Sequence, residues 1–146
     1  MRGFHFPLGR VLAWRRTELE LDQSKLRRIL AGIEECDLSA RRLELARARA
    51  EQAVCQAPAT EASDLWALAS YRARLTADLQ ALAARKRTAE QQMAAQREKV
   101  LAADRRCRLL EKLEQRRRRE WSLAENREVE GLAADSFLAG WSRPAR

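Results

Sequence analysis

The chain has 146 residues and a mass of 16.8 kDa, room for one domain. Charged residues make up 34%, aromatics only 5%, and there are just 5 Gly and 3 Pro, so long helix is favoured over a sandwich or α/β domain. The net charge of +8 attracts acidic partners without choosing among nucleic acid, lipid and protein.

The charge is spread rather than gathered in a tail. Residues 1–57 hold 11 basic and 8 acidic side chains, and the remainder hold 18 and 13. Interspersed signs of this kind describe solvated helix faces. The opening Met1–Arg16 has no unbroken apolar core and no small-residue cleavage site, so no signal peptide is expected. No apolar run approaches the ~20 residues that cross a bilayer. The expectation is a cytosolic protein in a reducing compartment, with Cys36, Cys55 and Cys107 unpaired. The chain has one His, no Gly-rich phosphate loop and no GxSxG, so it is expected to be neither an enzyme nor a holder of cofactor or metal.

Pro7, Pro58 and Pro144 partition the sequence. A helix is predicted over about 8–55. One heptad row runs Leu12, Leu19, Leu26, Ile33, Ala40, Arg47, Val54, and its companion runs Leu8, Arg15, Asp22, Ile29, Cys36, Leu43, Ala50. The alternating steps of three and four make a coiled-coil seam. Arg15 and Asp22 interrupt it and predict looser packing there. Residues 56–62 form the turn at Pro58, with Thr60 or Ser63 as candidate N-cap.

A second helix is predicted over about 63–135, with rows Leu68, Leu75, Leu82, Ala89, Gln96, Ala103, Leu110, Arg117 and Leu65, Arg72, Leu79, Lys86, Met93, Val100, Cys107. Residues 136–146 read as a tail, with Phe137 and Trp141 following Gly131. The fold class expected is an all-α, antiparallel two-helix coiled-coil hairpin. A turn at Pro58 makes partner numbers add to about 117, which sets Cys36 near Leu82, Cys107 near Arg10 and Trp14 near Ala103. The first helix would be about 70 Å long and the second about 110 Å, so residues beyond about 108 form an overhang. Leu109, Leu110 and Leu113 would lie exposed on it.

Three groups of residues could carry binding. Arg116–Arg119 and Trp121 lie on the predicted overhang, either as a solvated turn or as a basic surface for an acidic collar. The carboxylates of Glu111, Glu114, Glu120 and Glu125 argue against phosphate tracking there. The short apolar start Phe4–Leu8 reads as a staple of Phe6 on the second helix or as a partner contact. Trp66 and Tyr71 stand off the seam and, exposed, would anchor a partner.

The opening Phe4-His5-Phe6-Pro7-Leu8-Gly9-Arg10-Val11-Leu12 resembles the "F-x-F-x-L-x-R-V-L" start of FliJ-family flagellar export proteins. Tyr71 followed by Leu75 and Leu79 resembles that family's second-helix start, and Leu109 to Arg117 resembles its "LEKL-x-x-R" segment. The resemblance implies an antiparallel coiled coil like the central stalk of rotary ATPases. It implies a cytosolic component associated peripherally with the inner-membrane type III export apparatus. Its partners would be the hexameric export ATPase FliI, the export gate protein FlhA and export chaperones. By the same resemblance Phe6, Leu8, Arg10, Val11, Leu113, Arg116, Arg117 and Trp121 would face the ATPase. Trp66, Tyr71, Leu75 and Leu79 would face the gate. The alternatives are the equivalent stalk of a virulence-type secretion system and a basic coiled coil that binds nucleic acid.

Overall fold

The computed structural model describes residues 3–59 and 61–141, with side chains through residue 138. Two helices, α1 (Gly9–Cys55) and α2 (Ala62–Trp141), pack against each other as an antiparallel hairpin, and no strand occurs among the described residues. The chain forms two compact units, Glu20–Leu101 and a terminal unit of Met1–Leu19 with Ala102–Arg146; both helices contribute to each.

α1 runs for 47 residues without a proline. Pro7 lies in the turn just before it, where the Gly9 amide donates to the Phe6 carbonyl at 3.1 Å. The helix stops because Pro58 has no amide to donate and forces Ala57 out of the helical region. The last helical bonds are a Gln56 amide to the Gln52 carbonyl at 2.9 Å and an Ala57 amide to Val54 at 3.4 Å.

α2 begins differently from expectation. Ser63 is already inside the helix, and Thr60 lies outside the described residues. The cap is Glu61, whose amide donates to Asp64 Oδ2 at 3.0 Å, the return half of a capping box. At the other end α2 does not stop at 135. It continues through Gly131 to Trp141, so Phe137 is helical rather than part of a tail; the Trp141 side chain falls outside the description. Glycine inside a helix costs about 1 kcal/mol relative to alanine, too little to break one flanked by good helix formers.

Within Glu20–Leu101 the predicted seam is the observed one. Leu26, Ile29, Ile33, Leu43 and Ala50 are half-buried and Cys36 is buried; across from them Leu75 is buried and Leu68, Leu79, Leu82, Ala89 and Met93 are half-buried. Four predicted seam positions depart from it: Arg47 and Leu65 are exposed, and Arg72 and Lys86 are drawn into ion pairs. Arg72 turns outward and donates to Glu51 at 2.8 Å, and Lys86 donates to Asp37 at 2.7 Å. The hydrogen bonds from Arg47 and Arg72 hold the Glu51 carboxyl below its ordinary range, and the bond to Asp37 raises the Lys86 ammonium above its own. Such exposed pairs contribute little individually.

The interruption at Asp22 is not loose. Gln96 is 7% exposed, and its amide nitrogen donates to both the Asp22 carbonyl and Asp22 Oδ1 at 3.1 Å. The polar gaps in the two seams meet and satisfy each other.

In the terminal unit Leu12, Ala103 and Cys107 are buried. Arg16 donates from Nε at 3.2 Å and Nη2 at 2.9 Å to the same oxygen of Glu111, and this bond raises the guanidinium's pKa. Phe4 meets Trp121 with ring centroids 6.0 Å apart. Cys107 therefore sits beside Arg15 and Arg16, not Arg10. Trp14 does not reach the seam at Ala103. It is 58% exposed, with the Arg15 guanidinium 4.5 Å over its ring.

The register is shifted from the expected one. Paired numbers add to 118 for Asp22 and Gln96, 123 for Asp37 and Lys86 and for Glu51 and Arg72, 125 for Phe4 and Trp121, and 127 for Arg16 and Glu111. Ala62–Ala67, the first turn and a half of α2, is exposed, so its seam starts only at Leu68. Cys36 lines an open groove together with Arg85, Thr88 and Ala89. The overhang begins after Trp121, not at 108, and Leu110 and Leu113 are half-buried while Leu109 stays 68% exposed.

Two outcomes follow from this packing. Gln96→Leu leaves the Asp22 carboxylate only the solvated Lys25 ammonium at 3.6 Å and lowers stability by about 1–3 kcal/mol, while adding Asp22→Leu recovers most of that loss; thermal unfolding of the three variants measures the coupling. Cys36 and Cys107 are buried, and desolvation raises the Cys107 thiol, while Cys55 is exposed. An aromatic disulfide reagent therefore titrates one thiol in the native protein and three in denaturant.

Candidate functional site

The first candidate surface is built in the terminal unit. The segment before α1 carries Phe4, which lies against Trp121 on α2, and Trp121 continues the seam row of Cys107 and Glu114. The Arg118 guanidinium stands 6.0 Å from the centre of the Phe4 ring. Phe4, His5, Pro7, Arg117, Glu120 and Trp121 line an open groove of about 370 Å³. Arg117 donates to Glu120 at 3.3 Å, while Arg116 and Arg119 are exposed.

All eight residues assigned to this surface fall in the terminal unit. Leu8 and Val11 are 38% and 42% exposed, and Arg10, Arg116 and Arg117 are exposed, so these five can meet a partner. Phe6, Leu113 and Trp121 are half-buried and support the surface more than they form it. The aromatic anchor seen is Phe4, which sequence reasoning placed only in the opening motif. Its signal was the N-terminal apolar run, in which Phe6 too is half-buried.

The second surface lies in Glu20–Leu101. Trp66 is 76% exposed and Tyr71 38%, as their places off the seam require, whereas Leu65, expected in the seam, is 55% exposed because the seam of α2 starts only at Leu68. Leu75 is different: at 4% exposure it is core, and Leu79 is half-buried, so neither belongs to an exposed stripe. Both are seam residues, and their side chains are used up in holding α1. The surface contains instead a groove of about 530 Å³ lined by Ala50, Ala53, Val54, Ala57, Asp64, Ala67, Leu68 and Tyr71. Alanines on both sides of the turn leave this space open. Their clustering around Pro58 was the sequence signal.

The chemistry both surfaces offer is association: apolar side chains flanked by fixed charges. Among the described residues no group of three or more His, Cys, Asp or Glu could hold a metal ion, and no helix is long and apolar enough to cross a membrane.

The Phe4–Trp121 contact makes a local prediction. Phe4→Ala removes a ring pair worth about 0.5–1.5 kcal/mol beyond its burial and exposes Trp121. Tryptophan emission shifts to longer wavelength, and a Trp121→Phe background abolishes that shift.

No family model matches the chain, and neither a curated protein nor a solved structure matches it.

Proposed function

We propose that the chain is a cytosolic stalk and adaptor of the flagellar type III export apparatus, peripheral to the inner membrane and without catalytic activity of its own. It would bind the hexameric export ATPase through the terminal unit, promote ring assembly, contact the export gate through the surface of Trp66 and Tyr71, and escort export chaperones. The observation that carries this reading is the motif Phe4–Leu12 leading into a hairpin whose α2 continues past the last residue that α1's leading segment covers. A single projecting helix can enter a ring where a blunt hairpin cannot. Exposed Leu8, Val11, Arg10, Arg116 and Arg117 supply the apolar and basic contacts such a ring with an acidic rim would take.

The equivalent stalk of a virulence-type secretion system shares this geometry, and the opening motif favours the flagellar version. Nucleic-acid binding has less support, because Arg117 is engaged by Glu120 and Arg118 stands over Phe4.

The test is the hydrolysis rate and ring assembly of the flagellar export ATPase with the full chain and with a chain ending at Ser122, just past the last residue that Phe4 covers. Stimulation that is lost on truncation supports the reading, and absence of any effect by the full chain overturns it. Arg116→Glu with Arg117→Glu weakens ATPase binding about tenfold at unchanged helicity.

A further inference from the structure

The outer side of α2 in the terminal unit carries a second periodic row, distinct from the seam that packs on α1. Arg116, Glu120, Leu123, Arg127 and Glu130 advance by steps of four, three, four and three, the spacing of a helix–helix contact. All five are exposed, Leu123 by 59%, so α1 does not use this row. Ordinary solvated faces mix charges without order. This one has an order.

Read forwards the row is Arg, Glu, Leu, Arg, Glu; read backwards every charge is inverted about Leu123. A second copy laid antiparallel and centred on Leu123 therefore sets Arg116 level with Glu130, Glu120 level with Arg127, and leucine beside leucine. A parallel copy in register sets arginine on arginine and glutamate on glutamate. Two-fold symmetry doubles each favourable pairing, because an isologous contact uses the same surface twice. The flanks agree. Leu109, 68% exposed, comes near the level of Leu138, 65% exposed, at both ends of the overlap. Apart from the Arg117–Glu120 pair, no ion pair among the described residues engages these charges.

We infer that the exposed row Arg116–Glu120–Leu123–Arg127–Glu130 is a docking surface for a second copy of this chain, joined antiparallel about Leu123. The contact is largely charged, so it is a reversible, salt-sensitive association rather than an obligate dimer. It competes with any partner that uses Arg116. The inference does not rest on the export reading, since it requires only this chain.

The experiment is sedimentation equilibrium of the full chain with reductant present, so that exposed Cys55 cannot cross-link copies. At 50 mM salt and micromolar to 200 µM protein, the apparent mass rises from 16.8 kDa toward twice that value, and about tenfold more protein is needed at 500 mM salt. Arg116→Glu with Arg127→Glu makes the row wholly acidic. Glu120→Arg with Glu130→Arg makes it wholly basic. Each variant alone stays monomeric with wild-type helicity by circular dichroism, and an equimolar mixture of the two associates. The inference is overturned by a full chain that stays monomeric at 200 µM in low salt. It is equally overturned by a dimer that neither variant weakens, or by a mixture that stays monomeric. If a variant loses helicity, Leu123→Lys decides instead: unchanged association of that variant overturns the inference.

Discussion

The hydrogen bonds from Gln96 to Asp22 are the constraint on which the hairpin's pairing rests. Two helices alone make a narrow core, and among the described residues the buried apolar set is Leu12, Cys36, Leu75, Ala103 and Cys107. Such a seam is nearly degenerate: shifting one helix by a heptad exchanges leucine for leucine at small cost. A buried amide facing a carboxylate removes that freedom, because any slipped register buries one without the other. The exposed pairs Arg72–Glu51, Lys86–Asp37 and Arg16–Glu111 are consistent with the same alignment but too solvated to impose it.

The pH behaviour of the pairs in Glu20–Leu101 follows from their directions. Glu51 has a depressed pKa, so its contribution is present above the ordinary carboxylate range and disappears as pH falls through the lowered value. Lys86 has a raised pKa, so its contribution is present below the ordinary lysine value and disappears as pH rises through the raised one. Between these limits both are intact, and neutral pH lies well inside the window.

In the terminal unit the division of labour is between a covered and an uncovered side of one helix. The seam side of α2 holds Cys107, Leu110, Glu114 and Trp121 against α1 and its leading segment, ending with Phe4. The outer side holds the charge-ordered row about Leu123. Among the described residues beyond Trp121 only Glu125 is partly shielded, and Leu123, Val129, Leu132 and Leu138 stand open. The proposed export role and the inferred self-association draw on this one helix, so a free second copy and a ring would compete for it.

The helices, their seam and the exposure of Trp66 were legible in the sequence, because all three follow from proline placement and local periodicity. The cap at Glu61 was not, since threonine and serine compete for that role by propensity while Asp64 decides it by reaching back. Nor was the burial of Leu75 weighed correctly against its place beside Tyr71, although its own heptad row required it.

Local spacing decides which face of a helix is apolar, and so the amino-acid sequence by itself determined two long helices and the residues they would bury. Only the tertiary structure decided which residue meets which. That choice depends on how many residues α2 spends leaving the turn before Leu68 and on the distant pairing of Gln96 with Asp22. No local pattern carries that information, nor the contact by which Phe4, ahead of α1, covers α2 as far as Trp121.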